Sequence, residues 1–204
     1  MKKLIYTLLS VSIIFSTCKK EDEEPTTNTN NNSNLSIGDY HQGGVIFYLS
    51  GNGSGLICDI SDIASPLNQV VWGCGGDSLF GAEGTDIGAG FSNTTDVING
   101  CNEVGIAAEI CYNLTKGGYS DWYLPSKDEL NEMYINKSII NATSISNGGN
   151  IFNIMDDCDE YDSDEYWSSS QEGSEYTTIQ RFGDGQQKGR NKLNLACVRA
   201  VRSF

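Results

Sequence analysis

Carboxylates are concentrated in one short segment of the chain. Seven of the ten residues from Asp156 to Glu165 carry a carboxyl group. Ca²⁺ takes six to eight oxygen ligands, so such a loop suits this ion, although its spacing is not that of an EF-hand. Two interpretations stay open. The segment is either a solvated acidic loop or a Ca²⁺ site, whose ligands would then be Asp157, Asp159, Asp162 and Asp164 because alternation points them to one side of an extended segment.

A second polar segment combines amide and guanidinium donors with nearby aromatic residues. It runs from Gly183 to Lys192 and follows Tyr166 and Trp167 in the chain. A pyranose offers hydroxyls at its rim and apolar C–H groups on its face, so donors beside an aromatic ring suit sugar recognition. The three tryptophans are predicted to lie in the core. The predicted ligand-binding residues are therefore Gln186, Lys188, Arg190 and Asn191.

Nucleophilic catalysis has little support in the sequence. His41 is the single histidine of the chain, so a Ser-His-Asp or Cys-His arrangement would have to include it. The run Ser168 to Ser170 lacks the GxSxG pattern of a nucleophile elbow. Paired carboxylates of the glycosidase kind stay open, because their separation in space is not visible in a sequence.

The N-terminus has the layout of an export signal. Lys2 and Lys3 precede an apolar run from Leu4 to Phe15, which ends before Ser16, Thr17 and Cys18. The run is too short for the roughly 20 residues of a transmembrane helix. It resembles a bacterial lipoprotein signal, which implies lipidation of Cys18. Residues 19–35 contain no apolar residue that could join a core before Leu35, so we expect a disordered acidic and Asn-rich tether.

The resulting organisation is a signal over residues 1–18, a tether over 19–35 and one domain over 36–204. Lys19 is not the aspartate that retains lipoproteins at the inner membrane, and the acidic run after it resembles the surface-export tethers of some Gram-negative lipoproteins. We therefore expect a lipid-anchored protein of the outer membrane that faces outward and contacts the membrane only through its lipid.

Charge excludes one class of partner. The chain has a formal net charge of −14, so nucleic acid is not an expected partner. No lysine or arginine occurs between Glu21 and Thr115, whereas six cations crowd the last 24 residues. Any anion-binding face must therefore come from the C-terminal end, unless these cations simply offset carboxylates.

Six cysteines remain once Cys18 is set aside, an even number in an exported chain, which favours disulfides. The predicted pairs are Cys58 with Cys74, Cys101 with Cys111, and Cys158 with Cys197, the last by elimination. On a continuous helix Cys101 and Cys111 would lie about 15 Å apart, beyond the roughly 7 Å limit for a bridge. Their pairing therefore requires the helix to break near Gly100 or Gly105.

Apolar patterning predicts the elements. Val45–Leu49 and Leu56–Ile60 flank Gly51-Asn52-Gly53, which is typical of a hairpin. A first helix is predicted from Asp96, interrupted at 100–105 and resumed to Leu114, after a cap at 93–95. A second runs from Lys127 to about Asn136. Residues 138–164 look loop-like, and three closing strands are predicted at Tyr166–Ser170, Tyr176–Phe182 and Leu193–Val201.

The stretch from Gly117 to Leu130, GGYSDWYLPSKDEL, contains the most specific local pattern. Gly117 and Gly118 supply left-handed backbone to end a helix, and Trp122 to Leu124 form an apolar run. Ser126 and Glu129 have the spacing of a capping box at the start of the second helix.

This stretch resembles part of the C-terminal domain of bacterial collagen-like adhesins of the Lcl type. Three further segments share the resemblance: GDYHQGGVIFYLSGNGSGLIC upstream, YWSSS at Tyr166 to Ser170 and VRAVRSF at the C-terminus. The resemblance covers residues 37–204. More distantly, AAEICYNL and WYLPSKDEL are similar to formylglycine-generating-enzyme-like domains. That similarity implies an α+β, C-type-lectin-like fold, with two helices packed on short antiparallel sheets and long irregular loops. It also implies that the terminal strands meet and that residues 144–165 and 183–192 form the ligand face.

Two functional hypotheses follow. The first is a lipid-anchored surface domain without catalysis that binds an extracellular glycan or protein, with Ca²⁺ as a possible ligand of the acidic loop. The alternative is an enzyme on the same scaffold, either a hydrolase with paired carboxylates or a redox protein that depends on Cys197. A purely structural envelope protein is a third possibility that the sequence does not separate from the first.

Overall fold

The predicted hairpin opens the fold, and the C-terminus joins it. The computed structural model describes residues 35–64, 68–153 and 164–204, and Leu35–Phe204 form one compact unit. Strands β1 (Tyr40–His41), β2 (Gly44–Leu49), β3 (Gly55–Asp59) and β9 (Val201–Ser203) make an antiparallel sheet in that order. Because β9 pairs with β3, the terminal strands meet, as the resemblance implies.

Two smaller antiparallel sheets complete the strand content of the described residues. One joins β4 (Val70–Val71) to β8 (Leu195–Ala196), and the other has the order β5 (Glu165–Glu172), β6 (Tyr176–Arg181), β7 (Gln187–Asn191). The predicted strand at 193–201 is wrong in extent, since it is split into β8 and β9. Residues 187–191 were expected to be an irregular loop and instead form β7. Their side chains are polar or absent, so no apolar alternation marks this strand in the sequence.

Four helices lie in the described part of the chain: α1 (Gly90–Gly100), α2 (Ala107–Tyr112), α3 (Lys127–Ile135) and α4 (Lys137–Ser146). The break predicted at Gly100 to Gly105 is confirmed. Helix α1 begins six residues earlier than expected, because Asn93 and Thr94 do not cap it. Asn93 instead donates to the Gly84 carbonyl at 2.6 Å, and Thr94 accepts from the Leu124 N–H at 3.0 Å. No helix in this part of the chain is long and apolar enough to cross a membrane.

Helix α4 corrects the prediction of a loop after residue 138. Ile140 and Ser144 lie one turn apart and are both buried. The Thr143 hydroxyl donates to the Gly38 carbonyl at 2.6 Å. The helix therefore depends on contacts with the N-terminal part of the domain. Its sequence is rich in β-branched residues, which have a low helix propensity, so it does not predict a helix.

Side chains from all three sheets and from the helices form the core. The three tryptophans Trp72, Trp122 and Trp167 are buried, as predicted. Trp72 donates its indole N–H to the Ser168 carbonyl at 2.8 Å, and Trp167 donates to the Val70 carbonyl at 2.8 Å. Each large ring therefore fills the core and also satisfies its polar atom.

One disulfide is present among the described residues, and it is not one of the predicted pairs. Cys74 bonds to Cys101, with their Cα atoms 5.8 Å apart. The predicted pairs Cys58–Cys74 and Cys101–Cys111 are wrong, since Cys58 and Cys111 are buried thiols. Cys158 lies outside the described residues, so its predicted bond to Cys197 stays a prediction, as does lipidation of Cys18. The break in the helix bends Cys101 toward the loop at Cys74 rather than toward Cys111.

The capping box at the start of α3 is confirmed. Glu129 N–H donates to the Ser126 hydroxyl at 3.3 Å, and Ser126 N–H donates to a Glu129 carboxylate oxygen at 2.8 Å. The other Glu129 oxygen accepts from Gly88 N–H at 2.8 Å. Burial raises the pKa of Glu129. These bonds join α3 to the loop before α1.

We expect Ser126→Ala to lower the free energy of unfolding by about 1 to 2 kcal/mol, because the cap and the hydroxyl's bond to the Asp86 carbonyl are lost together. Urea denaturation measures the change. Ser146→Ala, at an exposed helical serine, is the matched control and should stay within about 0.5 kcal/mol. Equal effects of the two substitutions would contradict a stabilising role for the box.

Candidate functional site

The four predicted ligand-binding residues lie on one hairpin, but two of them face an internal carboxylate. Lys188 Nζ lies 2.7 Å from Glu165 Oε1, and Arg190 Nη1 lies 2.9 Å from Glu165 Oε2. Glu165 itself is fully buried. Register explains the arrangement: Lys188 pairs with Ile179 and Arg190 with Thr177, so both side chains share one face of the β6–β7 ladder. These cations offset a buried negative charge.

The other two predicted residues, Gln186 and Asn191, form hydrogen bonds at the two ends of β7, Gln186 through its backbone N–H and Asn191 through its side chain. Gln186 is exposed in the turn before β7, where its N–H donates to Asp184 at 2.9 Å. The Asn191 side-chain oxygen accepts from Leu193 N–H at 3.0 Å. The hairpin therefore brings the predicted residues together, while these contacts stabilise the hairpin itself. Their role in ligand binding stays a prediction.

Lys192, the other cation of this segment, is buried in the core. Its ammonium lies 4.6 Å from the centre of the Trp72 ring and donates to the Asp77 carbonyl at 2.8 Å and to Gln171 at 3.0 Å. Desolvation by burial lowers the pKa of Lys192, with nearby carboxylates opposing the shift. This lysine therefore stabilises the loop at Asp77 and contributes nothing to a surface for anions.

The Ca²⁺ hypothesis rests on residues that are mostly outside the described part of the chain. Asp157, Asp159 and Asp162 lie there, and only Asp164 is described. Its carboxylate is buried, lies 3.5 Å from the Arg181 guanidinium and accepts from Gly183 N–H at 3.1 Å. Among the described residues, no group of three or more His, Cys, Asp or Glu side chains could hold a metal ion. Asp164 is thus occupied in fixing the β6–β7 turn.

The residues considered for nucleophilic catalysis have structural contacts. The ring of His41 packs edge-on against Phe204, with ring centres 4.7 Å apart. In the buried serine run, Ser168 donates to the Thr178 carbonyl and Ser170 to the Gly84 carbonyl, both at 2.7 Å. Burial raises the pKa of the Cys197 thiol to about 12, and Asp62 raises it further. As a thiol this sulfur is protonated at neutral pH and therefore a poor nucleophile, and in the predicted bond to Cys158 it is no nucleophile at all.

A surface cleft, which we term the α1–α2 cleft, lies between α1 and α2. Its volume is about 230 Å³. The C-terminal end of α1 contributes Ile98 and Cys101, the connecting loop contributes residues 102–104, and the end of α2 contributes Tyr112 and Asn113. The Cys74–Cys101 disulfide fixes one wall, and Ile106, which is buried, fixes the start of α2.

Apolar, amide and acidic groups meet in this cleft. Val104 is 84% exposed and Tyr112 is 48% exposed, so two apolar surfaces face solvent. Asn102 and Asn113 supply amides, while Glu103 and Glu109 supply carboxylates. None of the described lining residues is a lysine or arginine. No prediction from the sequence covers this site, although two features of the sequence point to it: the helix break and the long stretch without cations.

The fold and these surfaces define an α+β domain, whose described residues form small antiparallel sheets, four helices and long connections. Comparison with known proteins identifies the family. Residues 68–202 match the Lcl C-terminal domain, and the chain belongs to that family. No curated protein matches the chain.

Solved structures add a likeness of fold. The chain is similar to a fimbrial protein from Bacteroides ovatus ATCC 8483, with a TM-score of 0.51 and 13% sequence identity. The match covers 83% of this chain and 49% of the fimbrial protein, so the chain spans about half the length of that relative. At this identity the similarity concerns the fold alone.

Proposed function

We propose that this protein is a lipid-anchored domain of the outer cell surface that recognises an extracellular glycan or protein and acts in adhesion without catalysis. Membership of the Lcl C-terminal domain family carries the proposal. The fold shared with a protein described as fimbrial supports a surface role. The export signal, Cys18 and the polar tether support lipid anchoring and display outside the cell.

The geometry of the described residues supports the non-enzymatic part of the proposal. Potential nucleophiles are buried or engaged: Cys58 and Cys197 have thiol pKa values raised to about 12, mainly by burial. The single histidine packs against Phe204 rather than against a serine or thiol. By contrast, the α1–α2 cleft exposes aromatic, amide and carboxylate groups without any of these nucleophiles, which is the composition of a recognition surface.

The purified full chain should bind saturably to at least one component of an array of neutral glycans and extracellular matrix proteins. Sulfated polyanions should bind weakly, because the chain carries a net charge of −14. Surface plasmon resonance against each array component measures the affinity. Absence of binding to every component would contradict the proposal, and turnover of a bound component would support an enzyme instead.

A further inference from the structure

The α1–α2 cleft has a strongly one-sided charge. Glu103 and Glu109 line it, and the sequence contains no lysine or arginine before Lys116 within the domain. The Gly105 N–H donates to Oε2 of Glu109, which holds this carboxylate beside the connecting loop. Two carboxylates in one small cleft therefore lack a neighbouring cation among the residues that line it.

Helix ends add to this negative character. Helix α1 ends at Gly100 and α2 at Tyr112, and residues from both ends line the cleft. The last carbonyls of a helix carry a partial negative charge that favours cations. Neither helix has a basic residue in its last turn. The cleft thus offers two kinds of negative group from independent sources.

The apolar surfaces suit the rest of a basic side chain. Lysine and arginine carry an apolar stem below a charged head, and an aromatic ring attracts such a head through its face. Tyr112 and the largely exposed Val104 lie beside the carboxylates. A neutral glycan would stack on the tyrosine and donate hydroxyls to the carboxylates, whereas a basic head group donates hydrogen bonds and also balances their charge.

We propose that the α1–α2 cleft binds a lysine or arginine side chain presented by an extracellular protein segment. The inference rests on the proposed function and names its ligand class: a cationic protein rather than a sugar. The head group lies between Glu103 and Glu109, and the stem packs on Tyr112 and Val104. The disulfide ties Cys101, next to the end of α1, to Cys74, so one wall of the cleft is fixed before the ligand arrives.

The test uses the ¹⁵N-labelled full chain and the tripeptide acetyl-Leu-Lys-Gly-amide, with norleucine replacing lysine in a control peptide. We expect NMR shifts at amides of residues 102–105 and 109–113 with the lysine peptide only. The double variant Glu103→Gln, Glu109→Gln should weaken binding about fivefold or more. Glutamine retains an acceptor for the Gly105 N–H, so the loop should stay folded. Glu132→Gln on α3 is the matched control and should bind like the wild type.

Equal shifts with both peptides, shifts confined to other surfaces, or unchanged affinity in the double variant would overturn the inference. So would a neutral oligosaccharide that shifts the cleft amides when the lysine peptide does not. The array of glycans and matrix proteins distinguishes a failure of the cleft assignment from a failure of the proposed surface-recognition function. A ligand that binds wild type and double variant equally overturns the cleft assignment and leaves the surface-recognition function intact. An array without any ligand defeats that function itself.

Discussion

Asp62→Asn should lower the free energy of unfolding by about 3 to 5 kcal/mol, because it leaves a buried guanidinium without its counterion. Arg199 is fully buried, and its Nε donates to Asp62 Oδ1 at 2.7 Å. The other Asp62 oxygen accepts from the Tyr166 hydroxyl at 2.9 Å and from Asn150 at 3.0 Å. One carboxylate therefore joins the segment after β3 to β5, to the segment after α4 and to the approach to β9.

Urea denaturation measures this loss as a fall of about 2 M in the unfolding midpoint. The matched control is Asp184→Asn, which breaks a surface ion pair with Arg181. The N···O distance of this pair, 2.9 Å, is similar, but the Asp184 side chain is 53% exposed. That change should cost less than about 1 kcal/mol. If Asp62→Asn does not fold, Tyr166→Phe removes the hydroxyl that donates to the same carboxylate and accepts from the Asn153 N–H at 2.8 Å. This substitution should cost about 1 to 3 kcal/mol. Equal costs for the buried and the surface carboxylate would contradict the buried-pair argument.

The second large effect concerns the disulfide. Cys74 and Cys101 are 27 residues apart, and closing a loop of this length restricts the unfolded chain by roughly 3 kcal/mol. The double variant Cys74→Ala, Cys101→Ala should therefore lose about 3 kcal/mol of stability. A reducing agent should therefore destabilise the wild type by about 3 kcal/mol more than it destabilises the double variant. Thermal unfolding with and without the reductant makes the comparison.

Cys58→Ala distinguishes this bond from the pairing that the sequence favoured. Cys58 is a buried thiol on β3, so the variant should keep its sensitivity to the reductant while it loses only packing. Peptide mapping of the non-reduced protein should recover a fragment in which Cys74 is linked to Cys101. Recovery of a Cys58–Cys74 fragment instead, with loss of reductant sensitivity in Cys58→Ala, would refute the assignment.

Lys192 and Arg199, two buried cations near the C-terminus, show why the positions of basic residues in a sequence do not reveal a binding surface. The cations at the C-terminal end could form a surface for anions or simply offset carboxylates; Arg199 pairs with Asp62, as the second interpretation expects, and Lys192 packs over Trp72. A count of charges does not separate a surface patch from internal ion pairs, since partners lie far apart in the chain. Asp62 and Arg199 are 137 residues apart, and only the closed fold makes them neighbours.

The sequence by itself determined local elements of structure and the family to which the domain belongs. Apolar runs on either side of Gly51 and Gly53 predicted the opening hairpin, and Ser126 with Glu129 predicted the start of α3. In each case the interacting groups are a few residues apart, so the favourable conformation is encoded in the segment. The motifs around Trp122 and Trp167 likewise identified the family and the buried tryptophans.

The tertiary structure alone decided the partners of Cys74, the strand at 187–191 and the existence of the α1–α2 cleft. Cys101 could turn to Cys74 or to Cys111, and the choice depended on how α1 packs against the loop at residues 72–76. Strand β7 lacks an apolar pattern and forms because β6 supplies its hydrogen bonds, with Glu165 near its cations. Such contacts join distant segments, and their free energy exists only when the whole core has assembled.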